Sequence, residues 1–150
     1  MRVGILSDTH GLLRPRVLEL LAGCDRLLHA GDVGDPAVLV ALRAVAPLEA
    51  VRGNVDQGGE LDRLPHSTRG MLGELPFGMV HRQEDVPAEW TERLRLVVFG
   101  HSHRPELAWR GRCLLLNPGA CGQRRFALPL TLAIVTVVGE RPVPEILAVE

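Results

Sequence analysis

The sequence predicts an α/β fold in which two β-sheets pack on one another and helices flank them. Three observations lead there. In the first third, short apolar runs alternate with segments suited to helices, the β-α-β-α-β order of a parallel sheet with right-handed crossovers. In the second half, strand-like runs follow one another with a single plausible helix among them, which suggests a second, more antiparallel sheet packed on the first. Throughout, side chains with nitrogen or oxygen donors recur where apolar runs end, and open α/β sheets bind ligands beyond the carboxyl ends of their strands.

Residues 2–6 (RVGIL) are apolar and branched, the pattern of a buried strand, and end in Ser7-Asp8-Thr9-His10-Gly11. Residues 15–22 suit a helix opened by Pro15, whose missing N–H costs nothing in a first turn. The run Leu27 to Ala30 ends at Gly31-Asp32. Residues 36–45 suit a second helix, with Asp35 as N-cap and Pro36 at the first helical position. A third run, Leu48 to Arg52, ends at Gly53-Asn54. The stretch 57–75, rich in glycine and charge, is the hardest part to read and is expected to include a loop near a site mouth. Further strands are expected near 77–80, 96–99, 106–109, 112–116, 131–138 and 144–148, with a helix over 87–94. The segment 131–138 (TLAIVTVV) is too β-branched for a comfortable helix.

The 150 residues fit one domain, residues 1–150, and a hydrophobic fraction of 46% suffices for its core. Net charge is −1, so no basic footprint argues for extended nucleic-acid binding. All 17 basic residues are Arg, whose planar fork suits phosphate oxygens. Three cysteines without a CxxC pair do not make a disulfide framework; Cys24 and Cys113 read as packed thiols. The start resembles no signal peptide, and no apolar stretch reaches the ~18 residues of a membrane span. A soluble cytoplasmic protein without membrane contact is expected; a homo-oligomer is compatible with the sequence.

Seven donors sit at strand ends: Asp8, His10, Asp32, Asn54, His81, His101 and His103. Singly, Asp8-x-His10, Gly31-Asp32 and Gly53-Asn54-Val55-Asp56 are weak signals, since Asp and Asn beside Gly commonly make turns. Gly100-His101-Ser102-His103 is stronger, because two imidazoles one residue apart after an apolar strand suit a shared metal site. Together, carboxylate, amide and imidazole donors suit Mn, Fe, Zn or Ni, with no thiolate to select softer metals. Two ions about 3.5–4 Å apart need a shared ligand. Asp32, central in chain order, is the candidate bridge.

The ordered set SDTHG, GD, GNxD, a later His, GHSH and NPG resembles the calcineurin-like metallophosphoesterases, and more narrowly their small single-domain bacterial and archaeal phosphodiesterase branch. The resemblance runs from Asp8 to Gly119. It implies a four-layer α-β-β-α sandwich with a dinuclear centre. Asp8, His10, Asp32 and His103 would hold one metal, and Asp32, Asn54, His81 and His101 the other. The cofactors implied are two divalent transition-metal ions, Mn foremost, with Fe, Zn, Ni or Mg as alternatives.

Several positions depart from the family pattern. Arg82 follows His81 where the family usually has Gly, and His66 is a rival for the place of His81. Ala120 follows Asn117-Pro118-Gly119 where a Ser is usual, and Cys121 comes next. Arg124 or Arg125 is a candidate for touching substrate phosphate, and His29 reads as a structural residue or a support for the ligands. The reaction expected is attack by a metal-bound hydroxide on a small phosphodiester. Asp32, Asn54 and His101 are the catalytic candidates among the ligands, joined by Asp56, which could orient a ligand or water. Val55 stands where larger relatives carry a proton-donating His. The competing reading is a non-catalytic protein-binding scaffold on the same fold, a role that relatives usually fill with altered ligand positions.

Overall fold

A computed structural model describes residues 1–125 and 127–150. Three strands, β1 (Arg2–Leu6), β2 (Arg26–His29) and β3 (Leu48–Ala50), lie parallel, with Ile5 opposite Leu28 and His29 opposite Ala50. The connections between them are α1 (Pro15–Leu21) and α2 (Pro36–Arg43), each opened by its proline. Asp35 caps α2, its carboxylate accepting from the Ala37 N–H at 2.8 Å.

The 57–75 stretch holds ordered elements as well as loop residues. A 3₁₀ turn (Gly59–Arg63) leads into β4 (Ser67–Leu72), which pairs antiparallel with β5 (Leu75–Val80). After a second 3₁₀ turn (Gln83–Asp85) comes α3 (Trp90–Arg93), a single turn within the helix expected over 87–94. No side chain caps it, and its C-terminus leads at once into β6 (Leu96–Val98). Then follow β7 (Glu106–Arg110), β8 (Cys113–Asn117), β9 (Thr131–Val138) and β10 (Arg141–Ala148).

The two sheets run β10-β9-β1-β2-β3 and β4-β5-β6-β8-β7. Two expectations are corrected here. The last two strands do not join the second sheet: β9 pairs antiparallel with β1 and β10 with β9. The second sheet also has a parallel spine, β5-β6-β8, with antiparallel strands only at its edges. The physical reason is that β9 is buried on both faces. Leu132 and Ile134 point toward the helices, while Ala133 and Val135 point between the sheets, and such a run does not reveal which sheet it completes.

The same alternation builds the layers. Ile5, Leu28, Phe77, Met79, Leu96 and Leu116 meet between the sheets. On the outer face of the first sheet, Leu6 and Leu27 pack against Val17, Leu21, Leu39 and Leu42 of α1 and α2. On the outer face of the second, Val97, Phe99 and Leu115 pack against Trp90 and Leu94. The result is the expected α-β-β-α sandwich. Among the described residues no helix is long and apolar enough to cross a membrane.

Candidate metal centre

Five parallel strands from the two sheets, β1, β2, β3, β5 and β6, are each followed by a loop that delivers at least one of the seven donors. The chain pays for this in backbone conformation. Among the described residues the non-glycine positions with positive φ are Asp8 (56°), His10 (46°), Asp32 (57°), His101 (72°) and His103 (64°), all candidate ligands. Such a conformation costs an L-residue roughly 1–2 kcal/mol, and it persists where the surroundings over-determine it. Tight turns at strand ends aim these side chains back over the sheets.

The ligand atoms form two groups, Asp8 with His10 and His103, and Asp32 with His81 and His101, each within 4.8 Å of one another. In the first, Asp8 Oδ2 accepts from Ser7 Oγ at 2.6 Å and from the His101 N–H at 3.1 Å. Its other oxygen, Oδ1, faces His103 Nε2 at 3.3 Å and His10 Nε2 at 3.7 Å. Asp8 Oδ1 and His10 Nε2 are buried without a hydrogen-bond partner among the described residues. Buried polar atoms are ordinarily satisfied, so this pair has the character of donors kept for a cation.

In the second group, Asp32 Oδ1 accepts from the Val55 N–H at 3.0 Å, while Oδ2 lies 3.3 Å from His81 Nε2 and 3.5 Å from His10 Nε2. One oxygen of Asp32 therefore faces both groups. His81 donates Nδ1–H to the Ala30 carbonyl at 2.7 Å, which leaves Nε2 turned toward Asp32 and toward Asn54 Oδ1 at 3.0 Å. His101 stacks edge-on with His81, ring centroids 5.2 Å apart. His66, the rival for this place, lies outside both groups and lines a neighbouring cavity.

The electrostatics follow from two buried carboxylates set among imidazoles. Burial pushes Asp8 up, but the neighbouring His10 and His103, with Ser7 and the His81 charge, hold it well below the usual carboxylate range. For Asp32 burial is again outweighed, by His81 and the Val55 amide, and its pKa is lowered. His10 is raised, chiefly by Asp8. His81 is raised because Asp32 and Asp8 overcome its burial. Anionic oxygens facing basic imidazoles are the donor set a divalent cation would take over, displacing protons.

Supporting residues fix the loops. The carboxylate of Asp56 accepts from the N–H groups of Val33 (3.1 Å), Gly34 (3.0 Å) and Gly53 (2.9 Å), tying the Asp32 loop to the Asn54 loop. Gly53 and Gly100 need to be glycine, because a Cβ would collide with Asp32 at the first and with Ser7 and Asp8 at the second. His29 is fully buried; its Nδ1 accepts from the Gly31 N–H at 3.1 Å. Its Nε2 then donates to Thr9 Oγ1 (3.0 Å), whose hydroxyl donates to the Val33 carbonyl (2.8 Å). Burial lowers its pKa to about 4, so it serves as a neutral clamp. Asn117 donates to the Gly100 carbonyl and to Ser102 Oγ, both at 3.1 Å, and so holds the loop of His101 and His103.

The remaining candidates separate. Ala120 is buried and bridges to Leu130. Cys121 is a packed thiol behind Ser7, pushed by burial up to about 12. Arg124 is paired with Glu150, whereas Arg125 lies near enough to His10 to disfavour its protonation. Sequence reasoning missed Arg52 and Arg82 as walls of the adjoining cavity, and neither carried a motif that would have marked it.

Residues 1–140 match the calcineurin-like phosphoesterase superfamily domain. A probable metallophosphoesterase of Methanothermobacter thermautotrophicus is 29% identical, the alignment covering 98% of this chain and 92% of that one. Another, from Methanocaldococcus jannaschii, is 31% identical over 80% of this chain and 68% of its own length. Among solved structures, a novel archaeal phosphodiesterase superposes with a TM-score of 0.80 at 22% identity, covering 98% of this chain and 100% of that one. Vacuolar protein sorting 29 from Cryptosporidium parvum superposes at 0.83 and 21% identity, covering 98% and 90%. Structural likeness at these identities speaks for a common fold.

Proposed function

The chain belongs to the calcineurin-like phosphoesterase superfamily, and from that premise we propose that it is a phosphodiesterase working with two divalent transition-metal ions, Mn foremost. The observation that carries this reading is Asp32 Oδ2, which faces His10 Nε2 and His81 Nε2 at once. Asp8, His10, Asp32 and His103 would hold one ion; Asp32, Asn54, His81 and His101 the other. When bound, such ions set positive charge against the phosphoryl oxygens and bring the pKa of a water to about 7.

The chain's own residues do the rest. Asp56 and His29 keep the ligand loops in one geometry, so little reorganisation accompanies reaction. Arg125, whose charge reaches His10, offers a guanidinium to a phosphoryl oxygen of a small diester. Val55 stands exposed next to Asp32 and has no proton to give a departing oxygen, so esters with acidic leaving groups are favoured.

The competing reading is a protein-binding scaffold, a question that the fold likeness to vacuolar protein sorting 29 raises. A scaffold needs neither seven competent donors nor strained backbone at five of them, and both features are present here. The test is metal analysis together with hydrolysis of bis(4-nitrophenyl) phosphate. The protein should take up about two ions per chain, lose turnover on chelation and regain it with Mn. Protein that binds no divalent ion and cleaves no ester would be a scaffold.

A further inference from the structure

Beside the His81 half of the centre opens a cavity of about 550 Å³. That is within the range that encloses a small organic ligand, roughly 300–1,000 Å³. Asn54 and His81 belong to its wall, so it is continuous with the candidate metal centre. Beyond them the wall presents Arg52, His66, Arg82 and Asp85. Arg52 is shared with Asp62, 3.6 Å away. Arg82 pairs with no carboxylate among the described residues. The wall of the cavity thus carries a half-buried cation that pairs with no carboxylate among the described residues, a second cation and an imidazole.

The wall also indicates what the cavity does not take. Its lining includes no Phe or Trp among the described residues, so a nucleobase would find no large aromatic face, only imidazoles and guanidinium groups. A neutral apolar arm would leave Arg82 unpaired as it closed over it, which is costly. An arm ending in an anion satisfies the guanidinium through two parallel hydrogen bonds, and hydroxyl groups along that arm can donate to Asp85.

We propose that this cavity is the subsite for a second anionic group, a phosphate or carboxylate, carried on a polar arm of the substrate diester and gripped by Arg82 together with Arg52. The proposal rests on the phosphodiesterase reading above. It makes the preferred substrate an ester with one negative charge at the scissile phosphorus and another on the arm that enters the cavity.

The experiment compares three 4-nitrophenyl phosphodiesters on the Mn-loaded protein. Their second arms have equal length and end in phosphate, in carboxylate or in a methyl ester. An anionic arm should raise kcat/KM about tenfold over the neutral one, and the ratio of phosphate to carboxylate shows which anion the cavity prefers. In Arg82→Gln, and in Arg52→Gln/Arg82→Gln, the ratio of charged to neutral ester measured within each variant should shrink to within about threefold. Equal rates for charged and neutral arms in the wild type, or an advantage that survives both substitutions, overturns the proposal. A second measurement does not depend on turnover: metal-free protein is titrated with inorganic pyrophosphate while the His66 imidazole proton is followed by NMR. That resonance should shift in the wild type and stay still in the double variant. If no diester is cleaved with any metal, the phosphodiesterase reading fails, and this titration decides the cavity alone; an unmoved His66 signal overturns the anion site.

Discussion

The two halves of the centre are made from the same kinds of side chain and differ in enclosure. Asp8 and His103 are buried, and His10 is largely covered. Around Asp32 and His81, both buried, stand two exposed donors, Asn54 and His101, and the 550 Å³ cavity opens beside them. The first half is walled by loops locked to each other through His29, Thr9 and Asn117. The second is tied by Asp56, by the Val55 N–H on Asp32 and by His81 on the Ala30 carbonyl, and differs in its exposure. Enclosure favours retention and exposure favours exchange. One half is therefore suited to holding an ion and the other to meeting the substrate.

The largest expected effect comes from removing what joins the halves. Asp32→Asn should lower metal content in both and cut diester turnover about a thousandfold, the equivalent of ~4 kcal/mol of charge stabilisation. Metal analysis with kinetics checks it; retention of both ions with full activity would remove Asp32 from its role.

Next comes the lock on the enclosed half. His29 has a folded pKa of about 4 against an ordinary value of 6.5. The folded state therefore binds fewer protons than the unfolded chain between these values. Stability from this group is complete above pH 6.5 and is lost as pH falls through about 4, amounting to about 3 kcal/mol. Denaturant unfolding of chelated protein at pH 7 and 4.5 should show this loss, offset in part by His10 and His81, whose raised pKa values add stability as they protonate, while the shares of Asp8 and Asp32 are lost only at lower pH. In His29→Gln the His29 share should vanish; identical pH slopes in the two proteins would contradict it.

On the open side, Val55→His should accelerate esters of poor leaving groups by about 10², the lower end of general acid catalysis, and leave activated esters unchanged. The unmodified protein should show a steep dependence of rate on leaving-group pKa. A shallow one would point to another proton source, with His66 on the cavity wall the first to substitute.

The smallest effect sharpens the contrast itself. His103→Ala should empty the enclosed half, whereas His101→Ala, which removes a ligand, should weaken only the open half, by more than the roughly tenfold that loss of a ligand's supporting partner costs. Equal losses from both variants would mean that the halves fill as one unit.

The legible parts of this molecule are those in which a local signal coincides with a global one. Pro15, Asp35 and Pro36 announce helices at the places where the β-α-β-α-β rhythm needs them. The seven donors stand out because each follows an apolar run, and the topology gathers the ends of parallel strands along one rim. Other features lacked such coincidence. β4 (STRGML) is an edge strand with mostly exposed or half-exposed residues, so it carries no core-facing stripe. β9 is apolar on both faces and gave no hint of its sheet. The cavity draws Arg52, His66 and Arg82 from three separate segments, and only the assembled sheets bring them together.

The left-handed backbone at the ligand positions has an evolutionary corollary. At His101, exposed and with φ of 72°, glycine or asparagine would relieve strain that imidazole chemistry imposes. Asparagine in particular should raise the melting temperature of the metal-free chain while weakening the centre. Drift under selection for stability alone would erode such positions first, since proteins commonly gain stability by giving up strained functional residues. A lineage that kept the fold and lost the chemistry would thus be running downhill.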